Sequence, residues 1–272
     1  MITVAIIAVN LAVFVWQLTL SGEPGSGAGE LAGIASVTER DEAAIELGAI
    51  PYQITHPGRE CDLVADPISG GSGILCEGTP EAEIASSRSG LVSVPIDAVA
   101  WWLTVLTSMF MHAGILHFGG NMLFLWVFGN NVEDSMGRGR FLLFYLLSGA
   151  VAVYAQAAFN IDATGPTIGA SGAVAGVLGA YALLYPRARV LTFVLVIFFF
   201  TFIEIPAMVL LGAWFLLQFI PAVGQLATPD VAGEGGVAYL AHVGGFVFGL
   251  VAIKLFANRV KETDTATRYP AY

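Results

Sequence analysis

The sequence predicts an all-α polytopic membrane protein, and three observations carry that reading. Of 272 residues, 56% are hydrophobic and only 12% charged, against about 25% charged in an ordinary soluble domain. The mean hydropathy is +0.76. Apolar runs of the ~20 residues that span a bilayer as a helix recur along the chain. An ordinary soluble enzyme and a disordered chain are both excluded by this composition.

Residues 1–20 form the first predicted membrane helix, despite Asn10 and Gln17. The run has no basic leading region and no small-residue cleavage site, so it reads as a span rather than a signal peptide. Residues 21–98 read as an acidic extracellular loop insertion, rich in Gly, Ser, Pro and acid. With three Arg against thirteen acids they carry the whole formal charge of −10; the remainder holds eight basic and eight acidic residues. No basic stripe is present, and no nucleic-acid partner is predicted. Both cysteines, Cys61 and Cys76, lie in this segment and can form a disulfide if it faces an oxidising compartment. The Gly/Ser/Glu-rich stretches near 21–30 and 80–90 are expected to be disordered, with more order around the cysteines. Ile50-Pro51 and Trp101-Trp102 are placed at the membrane surface, where aromatics are favoured.

Residues 99–257 supply five further spans, near 115–132, 141–159, 170–185, 206–223 and 237–253, and residues 258–272 a cytoplasmic tail. The connections set the orientation. Arg138 and Arg140 follow the second span, Arg187 and Arg189 the fourth, and Lys254, Arg259, Lys261 and Arg268 the sixth, whereas loops 160–169 and 224–236 hold no Lys or Arg. Positive charge marks the cytoplasmic side, so both termini are expected inside. The apolar stretch 190–203 is short for a span, and counting it as one would invert the last helix. It is read as an interfacial segment on the cytoplasmic side.

Polar groups at membrane depth are costly and mark candidate sites. Ser171 opens the fourth span, closely flanked by Gly169 and Gly172. A serine at a helix start is surrounded by free backbone N–H groups, which suit a developing oxyanion. The competing reading is a small-residue helix seam, Gly172-x-x-x-Gly176. His242 lies early in the sixth span with Gly245 and Gly249 on its own face, a face able to approach another small-residue helix and bring His242 toward Ser171. Neutral histidine is the usual base for activating serine; packing alone is the alternative. His117 and Asn121 are spaced i, i+4 and share a face, and both can donate hydrogen bonds. His112 is assigned a structural role before that span. The histidine spacing lacks the HExxH geometry of a zinc site, so no metal and no cofactor are predicted. No acid lies within the fourth or sixth span, which points to a Ser-His dyad rather than a full triad.

The combination resembles the rhomboid family of intramembrane serine proteases. The matching residues are His112-x4-His117-x3-Asn121, Gly169-Ala-Ser171-Gly172 and Ala241-His242-x-x-Gly245-x3-Gly249, with Glu133, Gly137 and Arg138 after the second span. The resemblance covers most of 1–20 and 99–257. It implies a six-transmembrane-helix bundle in a prokaryotic plasma membrane, holding a water-filled cavity open to the outside. It also implies Ser171 as nucleophile, His242 as base and then acid, and an oxyanion hole of His117, Asn121 and the Ser171 N–H. The implied partners are the lipid bilayer and transmembrane protein substrates, cut near their outer end, with the fifth span as a lateral gate. Oligomeric state is not implied. Two departures stand. Ala175 occupies the position where some members stack an aromatic on the catalytic histidine, so the group that orients His242 is open. Leu103-Thr104 stand where members often carry a Trp-Arg pair. A non-catalytic escort factor and a transporter are the rival readings.

Overall fold

The computed structural model describes residues 1–20, 22, 37–65, 72–87, 90–96, 99–196, 199–227 and 237–258. The stretch 21–30, residue 22 apart, and the tail beyond Asn258 lie outside them. The predicted class holds: the chain is predominantly helical, and among the described residues four helices are long and apolar enough to cross a membrane. These are α1 (Ile2–Thr19), α8 (Arg138–Phe159), α10 (Ala207–Ala227) and α11 (Tyr239–Phe256).

The remaining two expected spans take other forms. α5 (Trp101–Thr107) and its 3-10 extension (Ser108–Phe110) meet α6 (Ile115–Phe124) at a sharp bend, 83° between the two axes. α6 continues through a π-helical turn (Leu125–Gly129) into α7 (Asn130–Met136). The fourth span is short: α9 (Ser171–Leu184) has 14 residues, or about 21 Å of rise against a ~30 Å hydrocarbon core. Twelve of its residues are buried. It can be apolar on every side because other helices, not lipid, surround it.

Polar side chains inside the apolar helices tie them together. The Glu133 carboxylate accepts the N–H groups of Ile2 and Thr3, each at 2.8 Å, and the Thr3 hydroxyl at 2.7 Å. It therefore satisfies orphan donors at the start of α1. Gln17 exchanges two bonds with the His112 backbone, donating to its oxygen at 3.1 Å and accepting from its N–H at 3.0 Å. α9 and α11 run in the same direction and touch through glycine. A β-carbon on Gly245 would strike the Gly172 carbonyl, and one on Gly249 the Gly176 carbonyl. This is the close backbone approach that small-residue seams permit.

The acidic segment carries structure that its composition does not announce. α2 (Glu39–Leu47) starts with a Thr38–Asp41 capping box, and α3 (Pro51–Thr55) with proline at its first position. β1 (Cys61–Ala65), β2 (Ser72–Cys76) and β3 (Val92–Pro95) form a three-stranded antiparallel sheet in the order β2-β1-β3. A Cys61–Cys76 disulfide closes the β1/β2 pair. Residues 80–86, expected to be disordered, form α4 (Pro80–Ser86), because the Thr79 hydroxyl caps the Ala82 N–H at 3.2 Å. Ile50, expected at the membrane surface, is instead fully buried beside Tyr52 and the disulfide.

The stretch 190–203 differs in form from the expected interfacial segment. Its described residues lie in an antiparallel pair of strands, β4 (Arg189–Val196) and β5 (Phe199–Pro206). Its Val, Thr, Ile and Phe content favours strand over helix, and the pairing Arg189↔Pro206 through Val196↔Phe199 is unbroken. Leu191, Phe193, Phe200 and Phe202 are exposed. They share one face, since Phe193 pairs with Phe202 and Leu191 with Glu204.

Candidate active site

The site is assembled at the shared starting end of α9 and α11. Ser171 is the first residue of α9, and His242 the fourth of α11. The glycine seam sets the two helices close enough for their side chains to meet. His242 Nε2 lies 2.8 Å from Ser171 Oγ. Gly169 turns the chain into α9 with φ +127°, a conformation other residues rarely adopt. A β-carbon there would lie 2.7 Å from His117 Cε1 and 2.8 Å from His117 Nε2. Glycine at 169 thus lets the His117 ring approach the serine loop.

His117 and Asn121 project from α6. The Ala113 N–H points at His117 Nδ1 at 3.5 Å. That leaves Nε2 as the protonated, donating nitrogen of the neutral ring. The Asn121 side chain is buried and donates to the His117 carbonyl at 3.0 Å, an i, i−4 bond that holds it on the same face as the ring. His112 sits outside this pair. It is 1% exposed and packs edge-on to Phe14, Phe118 and His117, with Nδ1 3.2 Å from the Phe110 carbonyl.

The loop that delivers Ser171 is held from outside the bundle. Ala49 and Thr167 exchange backbone bonds of 3.0 and 2.8 Å. Tyr52 N–H donates to the Ala163 carbonyl at 3.0 Å, and the Thr55 hydroxyl to the Ile161 carbonyl at 2.9 Å. From the other side, Gly169 N–H bonds the Ser108 carbonyl at 2.8 Å.

These contacts, taken with the membrane helices, place His112, His117, Asn121, Ser171 and His242 in one constellation, and that constellation lies inside a recognised family match: residues 100–259 match the rhomboid domain. The chain belongs to the rhomboid family. Rhomboid protein 1, mitochondrial, of Saccharomyces cerevisiae is 31% identical over 57% of this chain and 42% of its own length. Rhomboid protease GluP of Bacillus subtilis is 46% identical over 31% of this chain and 16% of its own. The human presenilin-associated rhomboid-like protein, mitochondrial, is 30% identical over 54% of this chain and 36% of its own. The chain spans less than half the length of each of these relatives. As a rhomboid with apolar helices of spanning length, it is an integral membrane protein. The acidic segment lies outside the family match.

Sequence reasoning missed one residue that contacts His242. Gln218 of α10 places its Oε1 2.8 Å from His242 Nδ1. Trp214, one turn earlier, brings its ring to 6.1 Å from the His242 ring. The signal was available, because Gln218 and Gln225 are the two amides of an otherwise apolar helix, and polar groups at membrane depth mark sites. Among the described residues, no group of three or more His, Cys, Asp or Glu could hold a metal ion.

Proposed function

We propose that this rhomboid is a serine endopeptidase that cuts transmembrane segments of other membrane proteins near their outer end. The observation that carries the reading is the 2.8 Å contact between His242 Nε2 and Ser171 Oγ. Ser171 Oγ attacks the scissile carbonyl as its proton passes to His242 Nε2; His242 then returns the proton to the leaving amine. The oxyanion meets the His117 Nε2–H, an Asn121 side-chain N–H and the Ser171 backbone N–H. A free N–H is the general condition of the first helical residues, and such donors act strongly in a low-dielectric site. Water then hydrolyses the acyl-enzyme by the same steps in reverse roles.

A helical peptide bond is shielded by its own hydrogen bonds, so substrates with small or helix-breaking residues near the cut are favoured. The arrangement of Lys and Arg supports both ends of the chain lying on the cytoplasmic side. Placement in a prokaryotic plasma membrane stands as a proposal beside a mitochondrial one, since both a Bacillus subtilis relative and relatives named as mitochondrial match.

Cleavage of a panel of labelled transmembrane substrates in liposomes tests the reading. Ser171→Ala and His242→Ala are each expected to abolish cleavage while the protein still folds, and Ser171 is expected to react with a fluorophosphonate. Retained cleavage in Ser171→Ala would sink the dyad.

A further inference from the structure

We propose that Gln218 is the positioning residue of the dyad: its side-chain oxygen accepts the His242 Nδ1 proton and so leaves Nε2 free to take the proton of Ser171. The inference rests on the protease reading and answers what that reading leaves open, namely what orients His242 when Ala175 supplies no ring to stack on it.

A neutral imidazole carries one ring proton, and which nitrogen holds it depends on the partner of the other. His242 has two close polar partners, Gln218 Oε1 on Nδ1 and Ser171 Oγ on Nε2, each at 2.8 Å. With the amide oxygen facing Nδ1, the proton sits on Nδ1 and Nε2 is a base. With the amide turned over, its NH₂ would donate to Nδ1, the proton would move to Nε2, and Ser171 could not be activated. One side-chain orientation therefore decides whether the dyad is competent.

The chemistry suits a neutral partner at this depth. α9, α10 and the α6 face that carries His117 bear no Asp, Glu, Lys or Arg; α8 bears only Arg138 and Arg140 at its far end, and α11 only Lys254 in its last turn. Among the described residues, the titratable groups facing His242 are His117 and, edge-on at 6.4 Å between ring centres, Tyr239. A carboxylate in the place of Gln218 would be a half-buried charge at membrane depth without a cation on the neighbouring helices. An amide supplies the same acceptor without that cost, and its dipole stabilises the imidazolium formed in the transition state.

The seating of the base is thereby divided between two helices. α11 meets α9 through backbone contact at Gly245 and Gly249, which fixes the distance from His242 to Ser171. α10 meets α11 through side chains, with Trp214 and Phe215 against Phe246 and Gln218 against His242. Ring orientation thus depends on where α10 sits.

Nitrogen-15 histidine spectra of the full chain in detergent micelles, together with steady-state cleavage, test the proposal. The wild type is expected to show His242 with a protonated Nδ1 and a bare Nε2. Gln218→Leu is expected to mix the two tautomers and to lower kcat roughly tenfold or more with KM within about threefold. Gln218→Met serves the same purpose if the leucine variant does not fold. Gln218→Glu is expected to recover much of the rate over the leucine variant, with the acid limb of the kcat profile moved to higher pH. A carboxylate there favours the protonated ring, so the base is lost at a higher pH as pH falls; a merely structural role would not move that limb. An Nε2-protonated His242 in the wild type, or a Gln218→Leu variant with unchanged tautomer and kcat, overturns the proposal. Absence of cleavage by the wild type with the Nδ1 tautomer intact would instead overturn the protease reading and leave Gln218 as the orienting partner.

Discussion

Ser171 and His242 owe their contact to the glycines around them more than to any attraction of their own. Gly169 supplies a backbone angle that admits the His117 ring beside the serine, and Gly245 and Gly249 let α11 lie against α9. Two predictions belong at this scale. Gly169→Ala places a methyl against His117 at a strained φ. We expect it to lower kcat by a factor of ten or more, with the midpoint of thermal unfolding changed far less, as single-turnover cleavage and calorimetry would show. His117→Ala and Asn121→Ala each remove one proposed oxyanion donor, for which the expected loss is about 10²–10³ in kcat. Equal loss in kcat and kcat/KM would identify a contact made only in the transition state; a change confined to KM would reassign those residues to substrate binding.

At the scale of the element, α9 is a short helix enclosed by protein, and its seam with α11 has no room for side chains. Gly249→Val inserts two methyl groups and a β-carbon where the Gly176 carbonyl already sits. Overpacking of that kind costs about 1–3 kcal/mol, and here it also moves His242 away from Ser171. The expected outcome is a lower unfolding temperature together with lost fluorophosphonate labelling of Ser171. The spans of α1, α8, α10 and α11 were legible from apolar length alone. The β4–β5 pair was not, because a short apolar run does not distinguish strand from helix until its pairing partner is known. The 83° bend before α6 was equally hidden: no proline or charge announces it.

For the whole molecule, the acidic segment proves to pack against the loop that leads into Ser171. Its α2–α3 corner grips the loop before Ser171 through Ala49, Tyr52 and Thr55. Sheet and disulfide stand behind that corner, with Ile50 and Tyr52 packed beside Cys61 and Cys76. Ala49→Pro deletes the N–H that bonds Thr167, and we expect faster amide exchange in residues 161–169 and a several-fold drop in kcat. Cys61→Ser with Cys76→Ser removes a 15-residue closed loop, a constraint worth about 3 kcal/mol by chain entropy. The expected reading is earlier proteolytic cleavage between β1 and β2, with the membrane helices intact. Unchanged exchange in 161–169 in the Ala49 variant would show that the corner rests on the loop without holding it.

The sequence by itself determined the membrane class, from apolar run length, and the identity of the candidate residues, because motifs that are each weak alone combine in one order and spacing. It also located the net charge of −10 in one segment. Only the tertiary structure decided which groups meet. Gln218 and His242 are 24 positions apart, and Ala49 and Thr167 farther still. Such contacts arise from how helices seat on one another and from which way a corner folds back, and neither periodicity nor composition encodes a distance between elements. The tertiary structure therefore moved the acidic segment, remote from Ser171 in the chain, to the loop that delivers it.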